Sequence, residues 1–92
     1  MKKYDIEYTD EAIEDIFKLK KSEKQAYSKL NELLKELREH PRTGTGKPKR
    51  LSSNRPGQWS RRMTEKHRLV YKIEDEKIIV LVLSAYGHYE DK

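Results

Sequence analysis

The alternation of apolar and polar residues divides the chain into segments of two kinds. Over Lys3–Tyr8 every second residue is apolar, which is the period of a strand with one buried face. Apolar residues then recur every three or four positions over Thr9–Lys20 and again over Ser22–His40, so we predict two helices. From Lys49 onwards the two-residue period returns. The pattern therefore predicts a strand, two helices and then a series of strands.

The ends of both predicted helices carry capping signals. Thr9 is a candidate N-cap, and acids follow it in the first turn, where the helix dipole favours them. Ser22–Gln25 has the form of a capping box and predicts the start of the second helix. Pro41 disfavours the helical conformation in its predecessor, so we expect the second helix to end near His40. Both helices have ordinary core stripes, and we assign them no chemistry.

The second half of the chain is predicted to form strands. The candidate strands are Lys49–Leu51, Gln58–Thr64, His67–Ile73 and Ile78–Leu83. The last of these is uniformly apolar, as expected for a central strand that is covered on both sides. We therefore expect an α+β domain in which an N-terminal strand and two helices pack on one face of a twisted antiparallel sheet.

The two-residue period also assigns side chains to the two faces of the sheet. Tyr71 is expected in the core, and Trp59 in the core or at its edge. Arg62 and Arg68 then project from the opposite, open face, on neighbouring strands of one hairpin. We interpret His67 as the residue at which a strand starts, without a chemical role.

The composition limits the chain to one small domain. Its 92 residues suffice for a single domain, residues 1–92. There is no cysteine, and the three histidines lack the spacing of a zinc site, so we expect neither a metal nor another cofactor. We find neither the apolar core of a signal peptide nor an apolar run of membrane-spanning length. We therefore expect a cytoplasmic protein without a membrane partner.

Positive charge is concentrated in the middle of the chain. Residues 41–72 contain ten Lys and Arg against one acid, Glu65, and carry a net charge of +9. The whole chain carries +5, so the remaining residues sum to −4. A localised basic field attracts a polyanion. Nucleic acid is the usual one, although an acidic protein would fit the same field.

The open face of the predicted sheet collects groups that suit metal-free RNA cleavage. Arg62 and Arg68 can hold a phosphate through charge-assisted bidentate bonds, with Lys49 beside them. His88 can give a proton to a leaving group, and Tyr89 can stack a base or bond a phosphate oxygen. Each of these residues alone is also typical of an ordinary solvated surface. Their convergence on one face is what favours a catalytic role. Further cations are expected to contact RNA: Lys47, Arg50, Arg61, Lys66 and Lys72.

One block of sequence is specific. Gly44–Pro48 (GTGKP) precedes Trp59–Thr64 (WSRRMT), His67–Tyr71 (HRLVY) follows, and His88–Tyr89 stands near the end. This block resembles the YoeB/Txe group of toxins within the RelE superfamily, and the resemblance covers almost the whole chain. It implies a RelE-like fold and a metal-independent endoribonuclease that cuts mRNA in the ribosomal A site through attack of the 2′-hydroxyl group. It also implies a cognate antitoxin of the YefM/Phd type, and it is compatible with a homodimer.

The resemblance also assigns roles by position. Arg68 corresponds to the family's phosphate-binding arginine, and Arg62 corresponds to its supporting arginine. His88 corresponds to the general acid, and Tyr89 to the adjacent terminal tyrosine. The other cations named above are then expected to contact RNA or the ribosome.

Two positions depart from the family pattern. Lys49 stands where many members have a glutamate, proposed as general base, and a protonated lysine accepts no proton. One explanation is that the general base lies elsewhere. Another is that a lysine held neutral among arginines acts as the base, and a third is that lysines and arginines dominate catalysis without a base. The chain also continues past Tyr89, so that residue does not carry the terminal carboxylate.

These departures leave other hypotheses open. The second hypothesis is a cleavage-dead or ParE-like binding protein that acts on gyrase or only on its antitoxin. The His88–Tyr89 end argues against the ParE-type branch. The third hypothesis is a basic nucleic-acid-binding domain without toxicity, for which the sequence offers no positive feature.

Overall fold

A computed structural model describes residues 3–51 and 57–87 of the protein. Its elements are β1 Asp5–Tyr8, α1 Asp10–Ser22, α2 Lys24–Leu37, β2 Lys49–Arg50, β3 Gln58–Arg62, β4 Arg68–Glu74 and β5 Ile79–Ser84. Both helices pack against a single five-stranded sheet, so the predicted α+β class is confirmed. Within the described ranges, no helix has the length and apolar character needed to cross a membrane.

The sheet is mixed rather than wholly antiparallel. Its strand order is β1-β5-β4-β3-β2, and the pairs β2–β3, β3–β4 and β4–β5 are antiparallel as expected. Strand β1 instead runs parallel to β5, with Asp5 opposite Ile79 and Tyr8 opposite Val82. Both helices lie between these strands in sequence, so the chain has room to return in the same direction. Strand β5 thus lies between two neighbours, in agreement with its apolar sequence.

Helix α1 begins as predicted but ends later. The Thr9 hydroxyl oxygen accepts a hydrogen bond from the Ala12 N–H at 3.0 Å and donates one to the Leu83 carbonyl oxygen at 2.9 Å. Because α1 continues to Ser22, the predicted capping box is wrong. The Ser22 hydroxyl donates to a carbonyl group within α1, and Glu23 caps α2 without a side-chain hydrogen bond.

Helix α2 places its apolar stripe in the core. Its buried residues are Ala26, Leu30, Leu33 and Leu37. The helix ends at Leu37, earlier than the predicted end near His40. The N–H groups of Glu39 and His40 both bond to the Glu36 carbonyl oxygen, which tightens the chain into a turn.

The core lies between the helices and one face of the sheet. Tyr71 is completely buried there, and Trp59 is half-buried against it, so both packing predictions are confirmed. His67 is also buried, in the turn just before β4. Its Nδ1 atom accepts a hydrogen bond of 2.8 Å from the N–H of Gly87. His67 therefore attaches the segment that follows β5 to the start of β4.

Candidate active site

Arg62 and Arg68 occupy directly opposite positions on the hairpin formed by β3 and β4. Opposite residues of an antiparallel pair have Cβ atoms about 4.5–5.5 Å apart, so two like charges are held close together. Arg68 donates from Nη1 to the carbonyl oxygen of Thr64 at 2.9 Å, which orients its guanidinium group. Like charges in this position repel each other, and a bound anion relieves that repulsion.

A loop places two lysines beside this arginine pair. Gly46 and Lys47 have positive φ angles of 85° and 52°, which turn the chain just before β2. The Gly46 carbonyl oxygen accepts a hydrogen bond of 2.7 Å from the N–H of Arg62. Lys49 lies opposite Ser60 in the ladder of β2 and β3, so the two residues share a face. The loop is thus attached to β3 beside the arginines.

These residues surround a basic cavity of about 170 Å³. Its lining residues are Gly46, Lys47, Lys49, Ser60, Arg62 and Arg68. Four of these lining residues are cationic, and no acid is among them. A cavity with this lining suits a phosphate group, because guanidinium groups bind phosphate bidentately and ammonium groups add point charges.

The cavity can stabilise negative charge that develops on a phosphate. Removing one preorganised donor from such a site costs roughly 2–4 kcal/mol of barrier in well-studied enzymes. Among the residues that the structure describes, no side chain that lines the cavity offers a carboxylate to act as a general base. The arrangement therefore points to electrostatic stabilisation as the main contribution of these residues.

The structure brings four of the predicted site residues together and places others elsewhere. Lys47, Lys49, Arg62 and Arg68 all line the cavity. Arg50 lies opposite Trp59 and so on the other face of the edge strand from Lys49. Lys66 lies in the turn between β3 and β4, 3.5 Å from the carboxylate of Glu23. Lys72 lies opposite Gln58, at the far end of the hairpin.

The C-terminal pair lies outside the described residues. The structure describes the chain up to Gly87, so the roles assigned to His88 and Tyr89 stay predictions. Both the N–H group and the carbonyl group of Gly87 are hydrogen bonded. Its N–H bonds to His67, and its carbonyl oxygen accepts a hydrogen bond of 2.9 Å from the Arg68 N–H.

The prediction that Arg61 contacts RNA is wrong. Its side chain is 0% exposed, because it points to the core face together with Trp59 and Met63. The guanidinium group bonds to the Glu36 carboxylate at 2.9 Å and to the Tyr71 hydroxyl at 3.1 Å. A group without solvent access reaches no polyanion. The sequence already indicated that Arg61 is buried, because Arg61 has the same strand phase as the apolar residues Trp59 and Met63.

Two ionisable groups around Arg61 have shifted pKa values. The pKa of Glu36 is lowered, chiefly because Thr45 donates a hydrogen bond to its carboxylate, and Arg61 adds to this effect. The pKa of Tyr71 is raised because the phenol is buried, although the hydrogen bond from Arg61 opposes the shift. At neutral pH the pair is therefore a carboxylate and a neutral phenol.

Two lining residues had no chemical signal in the sequence. Ser60 is 3% exposed, and its strand phase with Arg62 is the feature that places it at the cavity. Gly46 lies between the lysine-bearing segment and α2, and its backbone conformation becomes evident only in three dimensions.

Comparison with solved structures defines the class of protein. The structure of a YoeB dimer from Staphylococcus aureus matches with a TM-score of 0.82 at 36% identity, covering 95% of this chain and 99% of that chain. A chain of the YoeB–YefM complex from Staphylococcus aureus matches with a TM-score of 0.79 at 36% identity, covering 94% and 98%. The fold is that of the RelE-type toxins of toxin–antitoxin systems.

Sequence comparison then identifies the family. The family described as the YoeB-like toxin of bacterial type II toxin–antitoxin systems matches residues 8–89. Toxin YoeB of Escherichia coli (strain K12) is 40% identical over 82 residues, which cover 89% of this chain and 95% of that protein. The chain belongs to the YoeB-like toxin family, as the sequence blocks around Trp59–Thr64 and His67–Tyr71 predicted.

Proposed function

We propose that the protein is an endoribonuclease that cuts mRNA in the A site of the bacterial ribosome. The observation that carries this proposal is the convergence of Lys47, Lys49, Arg62 and Arg68 on one small cavity. Membership of the YoeB-like toxin family supports the same activity.

The proposed reaction is an attack of a ribose 2′-hydroxyl group on the adjacent phosphate. The new bond joins the 2′-oxygen to phosphorus, and the bond from phosphorus to the 5′-oxygen of the next nucleotide breaks. The products are a 2′,3′-cyclic phosphate and a free 5′-hydroxyl group. The proton of the 2′-hydroxyl group passes to solvent water, and the departing 5′-oxygen takes a proton from the group that acts as the acid.

We assign the roles around this reaction as follows. Arg62 and Arg68 hold the non-bridging oxygens of the scissile phosphate. The hydrogen bond from Arg68 to the Thr64 carbonyl oxygen orients the guanidinium group for this role. Lys47 and Lys49 add positive charge to the same cavity, where the phosphorane carries an additional negative charge. His88 is assigned as the acid that protonates the departing oxygen, with Tyr89 beside it, on the strength of the family resemblance.

Lys49 gives the site a character of its own. As an ammonium group it stabilises the ionised 2′-oxygen, whereas a glutamate at this position would accept the proton. With four cations around one phosphate, the proposed site favours the deprotonated nucleophile by electrostatics. Lys49→Glu therefore tests whether this chain depends on charge or on a base here.

Induced expression in bacteria tests the proposal. We expect translation to stop, and mapped mRNA 5′ ends to lie within codons occupied by ribosomes. Arg68→Ala is expected to remove toxicity, whereas Lys24→Ala, at the start of α2 and outside the basic region, is expected to retain it. Growth arrest with intact messages would contradict the proposal, and DNA damage signalling would then favour action on gyrase.

We propose a cognate antitoxin of the YefM/Phd type as the protein partner. The Staphylococcus aureus relative occurs in a YoeB–YefM complex, which supports a similar partner here. Co-expression of the antitoxin is expected to restore growth and to yield a stable complex with the toxin. Light scattering on the free protein would also establish whether it dimerises, since the structure of another Staphylococcus aureus relative is that of a YoeB dimer. Toxicity that persists beside the antitoxin would contradict the partnership.

A further inference from the structure

Arg61 is a fully satisfied arginine in the interior of the protein. A guanidinium group has five N–H donors, and each of the five finds an acceptor here. Nε donates to Tyr71, and Nη1 donates to the carboxylate of Glu36 at 2.9 Å and to the Thr45 carbonyl oxygen at 3.3 Å. Nη2 donates to the carbonyl oxygens of His40 and Thr43.

Three of these acceptors belong to the loop that joins α2 to β2. The loop residues that provide them are His40, Thr43 and Thr45. Glu36, on α2, holds the loop from the other side, because its Oε1 atom also accepts the Thr45 N–H at 2.8 Å. The loop backbone passes so close to this carboxylate that a Cβ atom on Gly44 would lie 2.3 Å from it. The Arg61–Glu36 pair therefore determines the path of the loop.

The same loop leads directly to one wall of the cavity. Gly46 follows Thr45 and accepts the Arg62 N–H, and Lys47 follows Gly46. Consecutive residues of β3 thus have separate tasks: Arg61 holds the loop from the core side, and Arg62 lines the cavity on the open side. Lysine side chains are long and flexible, so the path of the loop decides where Lys47 and Lys49 present their charge.

We propose that Arg61 and Glu36 are positioning residues that hold Lys47 and Lys49 in place beside Arg62 and Arg68 at the cavity. This proposal rests on the proposed function, in which the two lysines and the two arginines act on one phosphate. A displacement of about 1 Å in a group that acts on a reacting phosphate costs on the order of 100-fold in rate. Loss of the pair is therefore expected to lower phosphate binding and cleavage in a protein that is still folded.

The test compares Glu36→Ala, Glu36→Gln and Arg61→Lys with the core variant Val80→Ala. Val80 is buried in β5 and belongs neither to the loop nor to the cavity lining, so its variant shows what lost stability alone does to activity. All measurements are made well below the unfolding temperature of each variant. We measure single-turnover cleavage of ribosome-bound mRNA, and we measure affinity for an uncleavable 2′-O-methyl oligoribonucleotide.

Glu36→Ala is expected to slow cleavage by about 10-fold to 100-fold and to weaken oligonucleotide binding. Glu36→Gln keeps an oxygen that accepts the Thr45 N–H, so it is expected to recover much of the loss. Arg61→Lys loses the fork that bonds three carbonyl groups and is expected to resemble Glu36→Ala. Val80→Ala is expected to bind and cleave as the unsubstituted protein does.

The outcomes separate this proposal from the proposed function. The positioning role would be overturned if Glu36→Ala and Arg61→Lys bind the oligonucleotide and cleave mRNA as the unsubstituted protein does. An equal loss in Val80→Ala would overturn it as well, because stability alone would then explain the effect. Unsubstituted protein that binds the oligonucleotide without cleaving mRNA would refute the proposed function, and the binding series would still decide the positioning role. Unsubstituted protein that neither binds nor cleaves would refute both.

Discussion

Arg61 and Arg62 are adjacent arginines for which we expect the same substitution to change the stability of the fold to very different extents. Arg61→Met removes a buried guanidinium group and leaves the Glu36 carboxylate without its charged partner. It also leaves three loop carbonyl groups and the Tyr71 hydroxyl without the donor that they share. Arg62→Met removes an exposed side chain that lines the cavity.

The expected cost of Arg61→Met follows from these contacts. The substitution leaves several acceptors without their donor, and a hydrogen-bonding group that stays buried without a partner costs roughly 1–3 kcal/mol, so we expect a total loss of about 3 kcal/mol or more. The Glu36 side chain is 32% exposed, so water can solvate its carboxylate and the lost ion pair adds less to this cost. A domain of this length has a free energy of unfolding of roughly 5–14 kcal/mol in total. The loss is therefore a large fraction of the stability, and it corresponds to a fall of more than about 10 °C in the unfolding temperature.

Urea denaturation followed by circular dichroism measures this difference at pH 7. Arg62→Met serves as the matched control, since an exposed substitution is expected to change the free energy of unfolding by less than about 0.5 kcal/mol. In the cleavage assay Arg62→Met is expected to lose activity although its fold is unchanged. A loss of less than about 1 kcal/mol in Arg61→Met would refute the structural role that we assign to this network.

Substitutions at three other positions test separate parts of the structure. Glu36 has a lowered pKa, so its carboxylate contributes stability that is present above the ordinary value of 4.5 and is lost as the pH falls through the lowered pKa. Unfolding free energies of Glu36→Gln and the unsubstituted protein should therefore converge in acid, and a constant gap would contradict this. His67→Leu removes the acceptor for the Gly87 N–H, at a cost of roughly 1–3 kcal/mol, and should speed hydrogen exchange of that amide. His67→Asn retains an acceptor near the Nδ1 position, so equal exchange in both variants would exclude the proposed contact. Gly46→Ala places a Cβ atom 2.9 Å from the Arg62 carbonyl oxygen at a φ of +85°, so we expect a loss of at least about 1 kcal/mol in urea, and an unchanged midpoint would refute the close approach.

The placement of the arginine pair was predictable from sequence because strand periodicity has a fixed phase. Once Tyr71 and Trp59 are assigned to the core, Arg62 and Arg68 must project from the other face. The structure adds that the two are direct cross-strand partners. The same phase places Arg61 in the core, and the error there came from treating every cation of the basic region as a surface residue.

Other features could not be read from the pattern. Alternation shows which face a side chain takes but not the direction of the neighbouring strand, so the parallel pairing of β1 with β5 was not predicted. Ser22–Gln25 satisfies the residue types of a capping box, yet α1 continues through Ser22 and uses its hydroxyl group. The loop at Gly46 has little periodicity, and long-range bonds to Arg61 and Arg62 determine its path.

Cleavage of a defined mRNA in a purified bacterial translation system tests the central claim most directly. The protein is added with and without programmed ribosomes, and Arg68→Ala is run beside it after circular dichroism has verified its fold. We predict cuts within the A-site codon that require ribosomes, carry 2′,3′-cyclic phosphate ends and disappear in Arg68→Ala. Intact mRNA on programmed ribosomes, in the presence of folded unsubstituted protein, would contradict the account.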